Sequence, residues 1–505
     1  MRYGPSAHSI IVCMDSMPVE IYPVAAVREI DRTAIEDQKI PGYALMTRAG
    51  EAAVRAGESR FSAAKRWQVI CGGGNNGGDG YVMARLASAR GIVVSAIAMT
   101  DPATLQGDAA TAYSDFTAQG GVVLPWSGEL DPDSELLLDA ILGSGLERDV
   151  AGEYAAAVEA VNQHMAPVLS LDIPTGLHGD SGEVLGCAIN AALTITFVGL
   201  KSGLFLGGGP ECCGELMYDG LSIPDTCRDP STAVMRRIAT RRLRELLPRR
   251  SRDAHKGDFG HVLVIGGGPG MPGAARLCGE AALRAGAGRV SIATHPAHAA
   301  SVVTSRPELM SHGIETADEL DALLANADVV AFGPGLGQSA WASLLYERVA
   351  EDDRPSIWDA DALNLLAKKG GTAAHRVVTP HPGEAGTLLD SSASEIQSDR
   401  IAAVQALQER YGGVAVLKGA GSLVSAPDGV PWVCSAGNPG MAAPGMGDVL
   451  TGIIAALAAQ GLDPEQAACA GVQAHALAGD IAAASGERGM IASDLLAELR
   501  QVLNP

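Results

Sequence analysis

The sequence predicts an α/β protein made of two doubly wound domains. Short apolar, strand-like runs recur along the chain, and each ends in a glycine-rich or polar loop before a helical pattern begins. This alternation is typical of a mostly parallel sheet with helices on both faces. The length of 505 residues exceeds one ordinary core, so two domains of roughly 200–280 residues are expected. A composition of 47% hydrophobic and 19% charged residues fits globular domains.

Charge and cysteine usage restrict the partners and the compartment. A net charge of -21 argues against a nucleic-acid binder, which would carry a basic face. The nine cysteines are scattered and include no Cys-x-x-Cys pair, a pattern of reduced thiols. The start of the chain lacks the long apolar core of a signal peptide, and no apolar run is long enough to span a membrane. We therefore expect a cytoplasmic protein with no membrane partner.

The first domain is predicted over residues 24–228, after an extension at 1–23. Residues 24–57 follow an amphipathic helical pattern that is interrupted at Pro41-Gly42. A strand at 67–71 leads into the loop 72–80, and helical sequence resumes at 81–89. Strand, glycine loop and helix in this order are the context of a nucleotide site.

Further strand ends in this domain carry polar side chains. The predicted strands are 136–140, 167–171 and 193–198. Because the carboxyl ends of parallel strands meet at one crevice, the polar residues beside them are expected to converge. These residues are Asn76, Asp139, Asp172, Thr175 and Lys201.

The converging side chains divide into two chemical groups. The oxygen ligands of Asn76, Asp139 and Thr175 suit a hard monovalent or divalent cation. Asp172 and Lys201 would form an acid/base pair. For any one of these residues alone, a salt bridge or helix cap is the better interpretation; together they favour a site.

The second domain is predicted over residues 251–505, after a linker at 229–250. The linker contains helix-like sequence at 235–247, and a basic run at 248–252 crosses the boundary. The predicted strands are 261–265, 289–293, 329–332, 356–358, 376–379 and 414–417, followed by a hairpin over 423–434 that turns at 427–429. Repeated strand, loop and helix units again indicate a mostly parallel sheet.

The stretch 437–452 is the strongest candidate for chemistry in this domain. Its turn-forming residues lead into a helix predicted from Asp448 to about residue 460. Gly445 and Gly447 lack side chains, so the unpaired amides of the helix start can close on an anion. Asp448 could take a proton from a substrate hydroxyl there. The alternative is an ordinary acidic helix N-terminus, and other phosphate-type loops at strand ends argue against it.

The C-terminal half resembles the ribokinase-like superfamily, specifically its ADP- or ATP-dependent NAD(P)H-hydrate dehydratases. The matching motifs are His255-Lys256-Gly257, Met271-Pro272-Gly273-Ala274, Gly333-Pro334-Gly335-Leu336-Gly337, Thr379-Pro380-His381-Pro382-Gly383-Glu384, Lys418-Gly419 and Gly447-Asp448.

The N-terminal half resembles NAD(P)H-hydrate epimerases. The matching motifs are Asn75-Asn76-Gly77-Gly78-Asp79-Gly80, Asp139 with Gly143-Ser144-Gly145, Asp172-Ile173-Pro174-Thr175-Gly176 and Lys201. The two resemblances cover nearly the whole chain from about Val24. They imply a Rossmann-like three-layer sandwich followed by a ribokinase-like one.

The resemblance implies a role for each residue of the N-terminal motifs. The hydrated dinucleotide would be bound by Asn75, Asn76, Gly77, Gly78, Asp79, Gly143, Ser144, Gly145, Leu146, Glu147, Arg148, Asp149 and Asp172. Asn76, Asp139 and Thr175 would ligate K+. Asp172 and Lys201 would interconvert the R and S hydrates at the carbon that bears the hydroxyl.

In the second domain the resemblance implies dehydration of the S hydrate with ADP, giving NAD(P)H, AMP and phosphate. Ala274, Gly335, His381 and Asp448 would line the hydrate pocket. Lys418, Gly419, Ala420, Gly421, Ser422 and Gly447 would bind the nucleotide, with Mg2+ as cofactor. Asp448 would be the base. Phosphorylation suits this chemistry because hydroxide is a poor leaving group and phosphate a good one. The fused form suggests ADP rather than ATP. We also expect a homo-oligomer of four or more subunits.

Some features depart from the family or leave alternatives open. Pro444 and Met446 stand where many superfamily members carry small or hydroxyl residues, and Pro444 has no N–H to donate to an anion. The second domain could instead phosphorylate a small vitamin-like alcohol. The first domain could be a silent binding module, although binding alone needs neither Asp172 nor Lys201.

Overall fold

Two separate units organise the chain, each built on a mostly parallel sheet. The computed structural model describes residues 17–427 and 429–504, and the units are Met17–Met235 and residues 236 onward. Most of the predicted extension, residues 1–16, lies outside the described residues. Part of its remainder, Glu20–Tyr22, forms a strand.

The N-terminal unit contains the strands β1 (Glu20–Tyr22), β2 (Arg66–Cys71), β3 (Val93–Ala98), β4 (Val122–Pro125), β5 (Leu136–Ala140), β6 (Val168–Leu171), β7 (Leu193–Phe197), β8 (Leu200–Lys201) and β9 (Glu215–Asp219). Its helices are Val24–Glu36, Gly42–Arg60, Asn75–Ala89, Gly107–Ala118, Glu153–Gln163 and Gly209–Cys213.

The main sheet of this unit runs in the order β4-β3-β2-β5-β6-β7-β9, and its neighbouring strands are parallel. The chain reverses its direction across the sheet between β2 and β5, which is where ligands bind in doubly wound folds. Side chains alternate between two apolar cores: Val69 and Cys71 join one, and Ile70 joins the other. The unit is therefore the predicted three-layer sandwich.

The helix after β2 begins earlier than predicted. We predicted a loop to Gly80 and a helix from Tyr81, but the helix is Asn75–Ala89. Close packing explains the glycines: a Cβ on Gly77 would lie 2.0 Å from the Gly72 carbonyl oxygen, and one on Gly80 would lie 2.6 Å from the Ala140 Cβ. The glycines therefore bring the helix against the sheet, and the two asparagines stand in its first turn.

The C-terminal unit contains the strands β10 (Met235–Arg237), β11 (His261–Ile265), β12 (Arg289–Thr294), β13 (Met310–Gly313), β14 (Val329–Phe332), β15 (Ser356–Trp358), β16 (Arg376–Val378), β17 (Val414–Leu417), β18 (Ser422–Ser425) and β19 (Trp432–Cys434). Its helices are Arg241–Leu246, Pro272–Arg284, Ala299–Val302, Ala317–Leu324, Ala340–Ala350, Asp361–Lys369, Pro382–Leu389, Ala393–Ser398, Arg400–Tyr411, Met446–Ala459, Pro464–Ala482 and Ala492–Val502.

This sheet runs in the order β13-β12-β11-β14-β15-β16-β17-β18-β19-β10. The pairs from β13 to β17 are parallel, and β18 is antiparallel to both of its neighbours. The order reverses between β11 and β14, so the loops that follow these strands flank a second switch point. The predicted α/β class with two doubly wound units is confirmed.

Two local predictions in this unit have different outcomes. The hairpin over 423–434 is confirmed by β18 and β19, while Asp428 in its turn lies outside the described residues. The helix-like segment 235–247 is partly wrong, because Arg236 and Arg237 pair with β19 and the helix covers only Arg241–Leu246. Pairing with a distant strand decided the conformation there.

Several strands had no clear sequence signal. They are β1, β4, β8, β9 and β13. Those at the edges of the main sheets are partly exposed, so their sequences lack the continuous apolar run of a central strand. In the part of the chain that the structure describes, none of the helices combines the length and the apolar character that crossing a bilayer requires.

Two candidate active sites

A cleft of about 1210 Å³ opens at the switch point of the N-terminal sheet. The predicted site residues that line it are Asn75, Asn76, Asp79, Gly143, Ser144, Gly145, Leu146, Glu147, Arg148, Asp149, Asp172 and Lys201. Gly77 and Gly78 lie behind its wall, where Gly78 packs against Met46. Asp139 and Thr175 are buried.

Lys201 and Asp172 form an ion pair inside this cleft. Lys201 is 1% exposed, and its ammonium donates hydrogen bonds to Asp172 Oδ1, to Thr196 Oγ1 at 3.0 Å and to the Phe197 carbonyl at 3.0 Å. Asp172 has a φ of +67°, a left-handed conformation that is uncommon for a residue with a side chain. The pair places a carboxylate and an ammonium at one point of the cleft wall.

Asp139 lies at the end of β5 and is fully buried. Its Oδ1 accepts from Thr175 Oγ1 at 2.7 Å, and its Oδ2 accepts from Ser170 Oγ and the Thr175 amide, each at 2.8 Å. Burial raises the pKa of this carboxyl, while its hydrogen bonds with Thr175 and Ser170 oppose the rise. Asp139 forms no ion pair with a cationic side chain among the described residues.

Asn76 carries a buried side-chain amide that has no hydrogen-bond partner among the described residues. Its side chain is 8% exposed, and neither Oδ1 nor Nδ2 has a hydrogen-bond partner in the described part of the chain. A Cβ on Gly143 would lie 3.4 Å from the Asn76 Cβ and 3.7 Å from Asp172 Oδ2. The side chain of Asn76 therefore lies close to the Gly143 loop, which also approaches the Asp172 carboxylate.

Two further carboxyl groups of the cleft, those of Asp31 and Asp79, have raised pKa values. Asp31, on the helix Val24–Glu36, was not predicted as a site residue. Burial raises its pKa to about 6, with the Lys201 charge lowering the value and Asp172 raising it. Burial also raises the pKa of Asp79 well above its usual value, and Asp172 and Asp31 add to the shift. The cleft thus holds more acids than its one buried lysine can neutralise.

The centre of the C-terminal site is an ion pair between Lys418 and Asp359. Lys418 Nζ donates to Asp359 Oδ1 at 2.6 Å, and Thr451 Oγ1 donates to Asp359 Oδ2 at 2.9 Å. Burial tends to raise the pKa of Asp359, but the Lys418 charge and these hydrogen bonds hold it below the usual value. Glu384 Oε2 lies 3.7 Å from the same ammonium.

Asp448 stands in the first turn of the helix Met446–Ala459, beside this pair. Burial and the Asp359 charge raise the pKa of Asp448 to about 7, although Lys418 lowers it. The N-cap, Gly445, has a φ of +88°, which only glycine adopts freely. A Cβ on Gly447 would lie 3.2 Å from Lys418 Nζ and 3.4 Å from Asp359 Oδ2. The helix start thus brings its free amides and a protonatable carboxyl together.

The other predicted C-terminal residues form the surrounding walls. Gly335 follows β14 with a φ of +59°, and a Cβ there would lie 3.0 Å from the Ala274 Cβ. His381 is exposed and caps the helix Pro382–Leu389 by accepting from the amides of Gly383 at 3.0 Å and Glu384 at 3.2 Å.

The predicted nucleotide loop, residues 418–422, is shaped by an arginine that we did not predict. Arg400 is 4% exposed, and its Nη2 donates to the carbonyls of Leu417 at 3.3 Å, Lys418 at 3.4 Å and Gly421 at 3.2 Å. Burial lowers the pKa of Arg400 to about 10. Within the loop, Ser422 Oγ donates to the Gly419 carbonyl at 2.8 Å, while Gly419 and Ala420 are exposed.

Comparison with known proteins gives matches for both units. A family model described as YjeF-related protein N-terminus matches residues 42–203, and one described as NAD(P)H-hydrate dehydratase matches residues 262–501. The bifunctional NAD(P)H-hydrate repair enzyme Nnr of Coxiella burnetii is 47% identical over 486 residues, covering 96% of this chain and 99% of that protein. The chain belongs to the family of bifunctional NAD(P)H-hydrate repair enzymes.

Two further matches, one to a curated protein and one to a solved structure, agree with this assignment. The Escherichia coli K12 protein of the same description is 44% identical, covering 97% of this chain and 95% of its own. A crystal structure of a ribokinase-like superfamily protein from Enterococcus faecalis has a TM-score of 0.50 and 30% identity, covering 54% of this chain and 95% of that one. The resemblance drawn from the motifs is confirmed.

The residues that we missed had different signals in the sequence. Asp359 follows directly after β15, so the strand-end rule could have found it. Glu384 stands within a quoted motif. Asp31 and Arg400 lie within amphipathic helices, where a charged residue usually faces solvent, and only the packing shows otherwise.

Proposed function

We propose that this chain repairs hydrated NADH and NADPH in two steps. The N-terminal unit interconverts the R and S hydrates, and the C-terminal unit dehydrates the S hydrate with ADP, giving NAD(P)H, AMP and phosphate. The observation that carries the proposal is that each unit brings an Asp–Lys ion pair to the carboxyl ends of its parallel strands. Relatives with this function match the chain over nearly its whole length.

In the N-terminal site, Asp172 and Lys201 supply the acid and base that move protons at the hydroxyl-bearing carbon. The loop 143–149 and the first turn of the helix Asn75–Ala89 line the cleft where the dinucleotide would lie. The free amides of that helix start favour the negatively charged pyrophosphate. These roles rest on the position of each residue in the cleft.

K+ fits the residues beside this cleft. The Asn76 amide has no hydrogen-bond partner among the described residues, and the buried Asp139 carboxylate shows no cation beside it there. Carboxylate, amide and hydroxyl oxygens are ligands for hard cations. Asn76, Asp139 and Thr175 would hold the ion, which would supply positive charge beside the dinucleotide.

In the C-terminal site, Asp448 takes the proton of the substrate hydroxyl. The resulting oxygen attacks the terminal phosphorus of ADP, and AMP leaves with the electrons of the broken P–O bond. The phosphate ester then breaks at carbon, a proton leaves the neighbouring carbon, and the ring double bond is restored. Lys418 and the amides of Gly445 and Gly447 lie where they would stabilise the phosphoryl charge.

Mg2+ fits this site as an ion that arrives with the nucleotide. Mg2+ is usually bound by one or two carboxylates together with substrate phosphates. Glu384 and Asp448 both act electrostatically on Lys418, so carboxylates are available next to the expected phosphates. The ion would neutralise the charge on the transferring phosphoryl group.

The remaining expectations concern the cell and the assembly. Each cysteine in the described residues is a free thiol, which supports a reducing compartment such as the cytoplasm. Assembly into a homo-oligomer of four or more subunits stays a prediction from the resemblance. The comparisons support the repair function rather than the small-alcohol kinase or the silent binding module.

The function is tested with a mixture of R and S hydrates of NADH. The purified chain is incubated with K+, Mg2+ and either ADP or ATP, and recovery of NADH is followed by its absorbance. Recovery of both epimers with one nucleotide establishes both steps and identifies the donor. Recovery that stops at the S fraction removes the epimerase from the proposal, and no recovery with either nucleotide rejects the proposal entirely.

A further inference from the structure

Asp31 occupies an unusual position for a surface-helix carboxylate. It lies on the helix Val24–Glu36, outside the residues matched by the family model, yet it lines the cleft together with Asp172 and Lys201. Its carboxyl oxygens accept no hydrogen bond from the described residues, whereas Asp172 is held by Lys201. Asp31 is therefore free to exchange a proton with a ligand.

The charges around Asp31 come from several elements. The charged residues that line the cleft beside it include Arg28, Asp79, Asp108, Asp172 and Lys201, and the loop segment 147–149 adds Glu147, Arg148 and Asp149. Lys201 is the buried cation of this set, and its ammonium already pairs with Asp172. The Asp31 charge is among those that raise the pKa of Asp79, while Asp172 is the carboxylate that raises the pKa of Asp31.

Inversion of the hydroxyl-bearing carbon needs proton transfer on both faces of the ring. The hydroxyl must leave from one face and water must add to the other, so a single acid/base group cannot serve both events from one position. Asp172 reaches the cleft from the end of β6, and Asp31 reaches it from a different element. The site thus has two independently positioned carboxyl groups.

We propose that Asp31 is a further catalytic acid/base of the N-terminal site, acting on the ring face opposite the Asp172–Lys201 pair. This inference rests on the proposed epimerase function. Asp31 donates a proton to the departing hydroxyl, the C–O bond breaks, and the ring nitrogen supplies the electron pair, so that water leaves and an iminium forms. Water then adds to the opposite face and gives its proton to Asp172. The reverse direction exchanges the two roles, and no oxidation occurs.

The test measures epimerisation alone, without nucleotide. Pure S hydrate is incubated with each variant, and the R epimer is followed by chromatography. Asp31→Asn is expected to lower kcat by about 10²–10⁴-fold with little change in KM, since it removes a positioned acid/base but keeps the size of the side chain. Asp37→Asn, an exposed carboxylate at the end of the same helix, is the matched control and should behave like the parent.

Further readouts separate chemistry from structure. Asp31→Glu should recover most of the activity, and the limb of the kcat–pH profile that belongs to Asp31 should disappear in Asp31→Asn. Dehydration of S hydrate by the C-terminal unit should be unchanged, and the circular dichroism spectrum and thermal unfolding of the variant should match those of the parent, which shows that the N-terminal unit is folded. In ¹⁸O-water the parent should incorporate one labelled oxygen per inversion.

The outcomes distinguish this inference from the proposed function. Parent-like kcat in Asp31→Asn overturns the inference, as does a change confined to KM or an unchanged pH profile. Equal loss in Asp31→Glu and Asp31→Asn also overturns it, because a requirement for shape rather than for an acid would then explain the effect. Failure of the parent chain itself to epimerise rejects the proposed function instead.

Discussion

Lys418 Nζ donates to Asp359 Oδ1 at 2.6 Å, while the other oxygen of the same carboxylate accepts from Thr451. The Asp359 side chain is 2% exposed and the Lys418 side chain 17%. Loss of the partner charge would therefore cost more for the carboxylate, which has less access to water, than for the ammonium. Glu384 lies 3.7 Å from Lys418 as a second partner. The pair therefore fixes the position of the Lys418 ammonium beside Gly447 at the start of the helix Met446–Ala459.

Replacing Lys418 with Met should destabilise the C-terminal unit by about 3–5 kcal/mol, because a buried carboxylate would lose its cation. Asp359→Asn should cost less, since Lys418 keeps Glu384 nearby. Urea unfolding of the full chain measures both. Lys369→Met, which breaks the exposed pair with Glu347, should change the free energy of unfolding by about 1 kcal/mol or less. A Lys418→Met chain as stable as this control would contradict the prediction.

Replacing Asp448 with Asn should lower the rate of dehydration by about 10²–10⁴-fold, because the base for the substrate hydroxyl is lost. Epimerisation should be unaffected, since Asp448 belongs to the other unit. Parallel assays of NADH recovery and of R/S exchange measure the two activities. Glu409→Gln, an exposed change in the same unit, serves as the control. Equal loss of both activities would contradict the division of labour between the sites.

The dehydration rate should rise with pH through a midpoint near 7. The pKa of Asp448 is raised to about 7, and only the ionised carboxylate accepts the proton of the hydroxyl. A kcat–pH profile of the parent chain, measured with S hydrate and saturating nucleotide, tests this expectation. A rate that stays flat between pH 5 and 9 would exclude Asp448 as the base.

The raised pKa of Asp448 should also make the folded state less stable as pH rises, whereas the dehydration rate increases. A raised carboxyl pKa means that folding binds a proton, so the stabilising contribution is complete below the ordinary value of 3.8 and is lost as pH rises through about 7. Asp448→Asn avoids the burial of charge. It should therefore melt above the parent at pH 8, and the difference should vanish below about pH 4. A difference independent of pH would contradict this linkage.

K+ should raise the melting temperature of the N-terminal unit when it replaces a large organic cation such as tetramethylammonium. An ion present at 100 times its dissociation constant stabilises the folded state by about 2.7 kcal/mol. Asn76→Ala should weaken this dependence, because it removes the unpaired amide oxygen that we assign as a ligand. The exposed Asn190→Ala is the control. Identical K+ dependence in all three chains would remove Asn76 from the proposed site.

Motifs at strand ends were the part of the site that could be predicted from the sequence. Asp172 and Lys201 adjoin apolar strands whose direction follows from the parallel sheet, so their convergence follows from topology. Asp448 was found by its place after two glycines at a helix start. In each case a local pattern and one general rule of sheet geometry were sufficient.

Asp31 and Arg400 could not be predicted because their roles depend on packing between elements distant in sequence. Arg400 donates to the carbonyls of Leu417 and Gly421 across a strand end, and nothing in its own helix indicates those partners. The early start of the helix Asn75–Ala89 has the same origin, since close approach to Gly72 and Ala140 decided it.

The sequence by itself determined the α/β class, the two doubly wound units and the family, because these depend on periodicity, glycine placement and ordered motifs. Tertiary structure alone decided which charges are neutralised and which are not. Lys201 forms an ion pair with Asp172, and Lys418 forms one with Asp359. Asp31 and Asp448 lie near these pairs without a cation of their own among the described residues, and their pKa values are raised. The physical reason is that an ionisation equilibrium depends on burial and on charges within a few ångströms, and only the folded chain brings those together.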